Sequence, residues 1–296
     1  MGLLITGMHR SGTSMFGQWA ETMGLSAGSG LGFETTSANP RGLYERRDVV
    51  EFNERWLGVL GGSWWAPPFV KEQTWRSIDE QHLDQDRRTL DLFAAGFRDW
   101  YVKDPRLSLL LPLWDRLTLQ RLPVVVGVRP PREVAMSLNV RNGTTLRRGL
   151  ALWVAYNRAL LRHTGGRSFM VLDLPATLRN PADAAARMLT FLDDQGFTVD
   201  ADPEAIASDM EPDLVRQDCE RLEGSAERLA EDLDPIYREL VAMHGQVQSD
   251  TVHRLPLPDW AGEALDELGE FWDLAVRAEA ITLKQTPRWR RWWGSR

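Results

Sequence analysis

Leu3-Leu-Ile-Thr-Gly7-Met-His-Arg10-Ser-Gly12-Thr13-Ser14 is the stretch on which the fold turns. It opens with a short apolar run, the pattern of a strand buried on both faces of a parallel sheet. Glycines then punctuate a loop, and Ser14-Met-Phe-Gly-Gln-Trp-Ala-Glu-Thr-Met reads as a helix. A strand, a glycine loop and a helix start in that order make an anion site. The loop N–H groups converge there, and the helix dipole adds partial positive charge.

The spacing Gly7-x4-Gly12-Thr13-Ser14 resembles a Walker A loop, G-x-x-x-x-G-K-[ST], with one departure. Thr13 stands where the lysine belongs, and the positive charge sits inside the loop at Arg10. A nucleoside triphosphate with Mg²⁺ wants that lysine across its β- and γ-phosphates. A single phosphate carrying a sulfuryl group does not. The loop resembles the 5′-phosphosulfate loop of sulfotransferases that use PAPS (3′-phosphoadenosine-5′-phosphosulfate). The resemblance makes His9, Arg10, Ser11, Gly12, Thr13 and Ser14 cofactor-binding residues, PAPS the sulfuryl donor, and no metal a participant. His9 reads first as a packing residue of the loop and only second as a base.

A second motif, Val124-Val-Val-Gly-Val128-Arg129-Pro-Pro-Arg132-Glu-Val-Ala-Met-Ser137, has the make-up of a central parallel strand that ends at Arg129. Pro130 and Pro131 break the strand, and Pro131 suits the first turn of the next helix. Ser137 lies eight residues after Arg129, on that helix. Ligands of open α/β sheets bind outside the carboxyl ends of the strands, so Arg129 and Ser137 reach the crevice of the Gly7–Ser14 loop. A guanidinium and a hydroxyl there suit a phosphate monoester. The pair resembles the sulfotransferase clamp on the 3′-phosphate of PAPS. The family usually has an aspartate directly after this arginine; here Pro130 takes that place and leaves the arginine without a local partner in the sequence.

Two further stretches resemble the family, in particular its bacterial members: Asn39-Pro-Arg-Gly-Leu-Tyr-Glu45, and Lys103-Asp104-Pro105-Arg106 at the end of an expected strand, Trp100–Lys103. The resemblance implies that Lys103 donates to the bridging or sulfuryl oxygens; the plain alternative is an ion pair with Asp104. It also implies a base for the acceptor hydroxyl. Glu45 is the first candidate and Glu34 the second, with Arg10 assisting the leaving phosphate. Trp153 and Tyr156 read as core at helical spacing before they read as pocket walls. Two other classes stay open. One is a P-loop kinase or NTPase-like phosphotransferase, with Asp104 posing as a Mg²⁺ ligand. The other is a non-catalytic nucleotide-binding relative.

Composition agrees with an enzyme core. The 296 residues are 43% hydrophobic, enough for one sizeable α/β core. A net charge of −7 argues against nucleic acid as a partner. The acceptor is expected to be a small molecule or glycan, a glycolipid or a secondary metabolite. One cysteine, Cys219, fits a reducing compartment, and the five histidines have no ligand spacing. The N-terminal apolar run is too short for a signal peptide, so a cytoplasmic protein is expected.

The expected fold is α/β: a P-loop NTPase-like parallel sheet flanked by helices over residues 1–200, with a helical C-terminal extension over 201–296. Strands are expected at Val124–Val128 and Phe169–Leu172 besides the two above. Helices are expected at Arg46–Leu60, Ser77–Phe97, Leu107–Leu119, Arg132–Val140, Arg147–Arg162 and Ala182–Leu192. Gly61–Pro68, with Trp64 and Trp65, is expected as an exposed aromatic loop. From Asp202 onward no strand is expected, only long helices over Asp213–Met243 and Glu263–Leu283. The tail Pro287-Arg-Trp-Arg-Arg-Trp-Trp-Gly-Ser-Arg296 has the composition of an interfacial anchor. It would give weak contact with the inner membrane face, unless its tryptophans pack on their own domain.

Overall fold

The computed structural model describes residues 1–28, 44–68, 70–94, 96–208, 225–249, 258–261 and 263–264. The chain runs β1 (Gly2–Gly7), α1 (Thr13–Thr22), α2 (Arg47–Val59), α3 (Glu72–Ser77), α4 (Glu80–Ala94), β2 (Trp100–Lys103), α5 (Leu107–Thr118), β3 (Val124–Val128) and α6 (Pro131–Asn142). It continues through α7 (Leu146–His163), β4 (Phe169–Asp173), α8 (Leu174–Arg179), α9 (Pro181–Asp194), α10 (Pro203–Ser208), α11 (Ser225–Glu231), α12 (Asp234–Ala242) and β5 (Val247–Gln248).

The strands form one sheet in the order β2-β1-β3-β4-β5, with the first four parallel and β5 antiparallel to β4. The four parallel strands are buried along their whole length. Successive side chains of a strand point to opposite faces, and the core divides accordingly. Leu4, Val102, Val124, Val126 and Val171 face a core built with α2, α5, α7 and α12. Leu3, Ile5, Tyr101, Val125, Met170 and Leu172 face the other, built with α1 and α9. Valine-rich runs hold the strand because branched side chains fit the pleated, doubly covered surface.

The order places β2 on one side of β1 and β3 on the other. The strand order therefore reverses at β1, and a crevice opens beyond the carboxyl ends of β1 and β3. Two glycines let those ends approach closely. Gly7 and Gly127 are register partners. A Cβ on Gly7 would lie 2.2 Å from the Gly127 carbonyl oxygen.

Several expectations change. The helix expected from Ser77 divides into α3, which ends there, and α4, which starts at Glu80. Trp64 and Trp65 are half-buried rather than exposed: Trp64 lies against His9, and the Arg148 guanidinium covers Trp65 at 4.5 Å. Trp153 and Tyr156 are fully buried core residues. Beyond Asp202 a two-residue strand, β5, does form, too short to leave a periodic signal. The described part of Asp213–Met243 is two helices. The break falls at Leu233, before Asp234-Pro235, because a proline suits a first turn and not a helix interior. Glu34, the helix expected at Glu263–Leu283 beyond 264, and the Trp/Arg tail lie outside the described residues. No helix among the described residues is long and apolar enough to cross a membrane.

Candidate active site

Three groups of side chains meet above the crevice. The first is the loop between β1 and α1. Gly12 adopts a left-handed conformation (φ 81°) at the N-cap of α1, where no side chain caps the helix and no acidic residue stands in the first turn. A helix start without a side-chain cap is the kind of place where backbone N–H groups take an anion. Leu174, the first residue of α8, closes over Gly12, and a Cβ there would meet it at 2.7 Å. Asp173 sets this lid. Its Oδ2 accepts from the Ala176 N–H at 2.9 Å, its Oδ1 accepts from the Tyr237 hydroxyl at 2.5 Å, and its own N–H donates to His244 Nδ1 at 3.1 Å.

The second group is cationic. Arg10 has φ 71°, a strained value for a residue with a Cβ. Two contacts hold it there. Arg10 Nε donates to Ser137 Oγ at 2.7 Å, and the Arg10 carbonyl accepts from an Arg129 guanidinium nitrogen at 3.2 Å. Arg129 Nε donates to Glu133 Oε2 at 2.7 Å, so the arginine's partner is Glu133, one turn along α6, in place of a neighbouring aspartate. Arg10, expected beside the leaving phosphate, thus stands with Arg129 and Ser137 instead. Burial, then the Arg141 and Arg129 guanidiniums, lower the Arg10 pKa to about 10. Positive charge is crowded here, as in an anion site. Arg141 carries no motif and is a residue the sequence reading missed.

The third group centres on Lys103, at the carboxyl end of β2. Its Nζ lies 2.6 Å from Glu45 Oε1 and donates to Ser14 Oγ at 3.3 Å. Lys103 is 3% exposed, so the pair is nearly dry. Asp104 is not its partner. That fully buried carboxylate accepts from Asn53 Nδ2 at 2.9 Å, the Arg106 N–H at 2.9 Å and an Arg106 guanidinium nitrogen at 3.0 Å. It ties α2 to the strand end, and its bonds to Asn53 and Arg106 give it a structural role in place of that of a Mg²⁺ ligand. Among the described residues no cluster of three or more His, Cys, Asp or Glu side chains could hold a metal ion.

His9 bridges the groups. Its ring lies 4.7 Å from Trp64 and 5.6 Å from Tyr156, whose hydroxyl donates to the Trp64 carbonyl at 2.7 Å. Burial first, then Arg106, Lys103, Arg141 and Arg10, hold its pKa well below the ordinary imidazole value. It is neutral at neutral pH, with Nε2 buried and unpartnered. Ser11 is buried, and Thr13 packs towards Gly127. The structure brings together Arg10, Arg129 and Ser137 as one group, and Ser14, Glu45 and Lys103 as another.

Sheet order and loop define an α/β protein of the phosphate-binding-loop class. No protein-family model matches the chain, and no curated protein matches it. The chain is similar to the structure of sulfotransferase STF1 from Mycobacterium tuberculosis H37Rv (16% identity, 79% of this chain and 76% of that one, TM-score 0.41). It is also similar to the sulfotransferase domain of the Synechococcus PCC 7002 olefin synthase (15% identity, 92% and 94%, TM-score 0.40). A third similar structure is the sulfotransferase domain from the curacin biosynthetic pathway (13% identity, 90% and 96%, TM-score 0.39).

Proposed function

We propose that this chain is a sulfotransferase that moves a sulfuryl group from PAPS to an acceptor hydroxyl of a glycan, glycolipid or secondary metabolite. The observation that carries the reading is the meeting of an uncapped helix start, a buried lysine–glutamate pair and a separate arginine cluster in one crevice. PAPS has three features to match them: a 5′-phosphosulfate, a transferable group and a 3′-phosphate.

The N–H groups of Gly12–Ser14 hold the 5′-phosphate, and Arg10, Arg129 and Ser137 hold the 3′-phosphate. A cavity of about 250 Å³ between Arg129, Glu133 and the apolar side of α8 (Leu174, Pro175, Leu178) suits the base. The acceptor oxygen attacks sulfur as the bond from sulfur to the 5′-phosphate oxygen breaks. The acceptor proton passes to Glu45, the electron pair goes to the phosphate oxygen, and Lys103 stabilises the charge developing there. The products are the sulfate ester and 3′,5′-ADP. Lys103 and Glu45 hold each other until the acceptor hydroxyl comes between them. In this reading residues 1–200 form most of the catalytic core, and 201–296 a mainly helical extension that adds β5 to the sheet and whose α12 buttresses α8 through Tyr237. The enzyme works in the cytoplasm, with weak membrane-surface contact through the 287–296 tail.

Calorimetric titration tests the donor. Wild type is expected to bind 3′,5′-ADP in the micromolar range without metal, and Arg129→Ala is expected to bind it about thirtyfold more weakly, the effect of removing a charge-assisted contact. A preference for ATP with Mg²⁺, or indifference to Arg129→Ala, would overturn the proposal.

A further inference from the structure

Glu133, Ser137 and Arg141 recur every four residues on α6, a spacing that places successive side chains next to one another, and Arg129 stands four residues before Glu133, just ahead of the helix. Arg129, Glu133 and Ser137 are joined to one another or to Arg10. Arg129 is bonded to Glu133, and Ser137 accepts from Arg10. Arg141 follows Ser137 by one turn. Its side chain is exposed and, among the described residues, has no hydrogen-bond or carboxylate partner. Arg10 likewise has no carboxylate partner there.

The charge of this group decides what it can hold. Glu133 neutralises Arg129, so Arg129 brings geometry but little net charge. Arg10 supplies one positive charge and Arg141 a second. A phosphate monoester near neutral pH carries close to two negative charges. Three guanidiniums less one carboxylate match that dianion; without Arg141 the site is one charge short.

We infer that Arg141 is a specificity residue of the donor site, the side chain that lets it prefer a nucleotide with a 3′-phosphate over one without. The inference rests on the sulfotransferase reading and names the residue that completes its second anion station. Arg141 is within electrostatic reach of Arg10, whose pKa its charge helps to lower. A last-turn arginine also favours the helix dipole. That role alone would change stability and leave the choice of ligand untouched.

The test compares 3′,5′-ADP with 5′-AMP by calorimetry, on wild type and Arg141→Gln, with Arg88→Gln on the distant α4 as a control for net charge. Arg141→Gln is expected to weaken 3′,5′-ADP about tenfold and 5′-AMP less than about twofold, while Arg88→Gln changes neither. Equal losses for the two nucleotides, or no loss for either, would overturn the role of Arg141 and leave the sulfotransferase reading standing. A wild type that does not prefer 3′,5′-ADP to 5′-AMP would overturn the sulfotransferase reading itself.

Discussion

Replacing Lys103 with alanine is expected to slow sulfuryl transfer about a thousandfold while leaving 3′,5′-ADP affinity within about threefold. The split follows from where Lys103 stands. Its Nζ lies against Glu45 and Ser14, apart from Arg10, Arg129 and Ser137, the group proposed to hold the 3′-phosphate of the nucleotide. Charge on the bridging oxygen develops only as the bond to sulfur breaks, so a cation aimed there acts chiefly on the transition state. The nearly dry setting strengthens its effect, since low dielectric magnifies a fixed charge. Turnover and nucleotide titration of the same variant supply the two numbers. Equal losses in both would make Lys103 a binding residue, and an unchanged rate would remove it from the mechanism.

Gly7→Ala is expected to destabilise the protein by about 3 kcal/mol or more, through overpacking that cannot relax. The added methyl would sit 2.2 Å from the Gly127 carbonyl oxygen, in the backbone of the neighbouring central strand. A flexible side chain could move aside, but a paired strand moves only by separating from β1. Gly127 is no easier to change, since a Cβ there would lie 2.8 Å from the Ser11 carbonyl oxygen. Chemical denaturation measures the loss. A variant as stable as wild type would mean that β1 and β3 do not approach as closely as described.

The parts of the molecule legible in the sequence are those encoded locally. Gly7 and Gly12 mark a loop because their spacing is fixed by the turn they make, and Val124–Val128 reads as a buried strand from composition alone. Ser137 and Arg129 share a helix and its approach, so their spacing survives translation into three dimensions. Contacts across the fold left no such trace. Glu45 and Lys103 are 58 residues apart, and Arg10 and Ser137 are 127 apart; only the sheet order joins them. Adjacency in the sequence pairs Lys103 with Asp104, but successive residues of an extended chain point opposite ways. Asp104 turns inward to Asn53 and Arg106, while Lys103 turns to the crevice. Glu133 as the partner of Arg129 is legible in the four-residue spacing, although the family pattern points to the adjacent position. Arg141 belongs to no motif, and its place emerges only once Arg10 is seen to cross to α6.

Transfer of a radiolabelled sulfuryl group from PAPS, in the presence of EDTA, to a panel of sugars, glycolipids, phenols and other hydroxylated metabolites tests the central claim most directly. The expected result is a labelled sulfate ester, formed with 3′,5′-ADP in equal amount and lost in Lys103→Ala. If no acceptor is labelled and the protein instead moves phosphate from ATP in a Mg²⁺-dependent reaction, the chain is a phosphotransferase and the assignment is wrong.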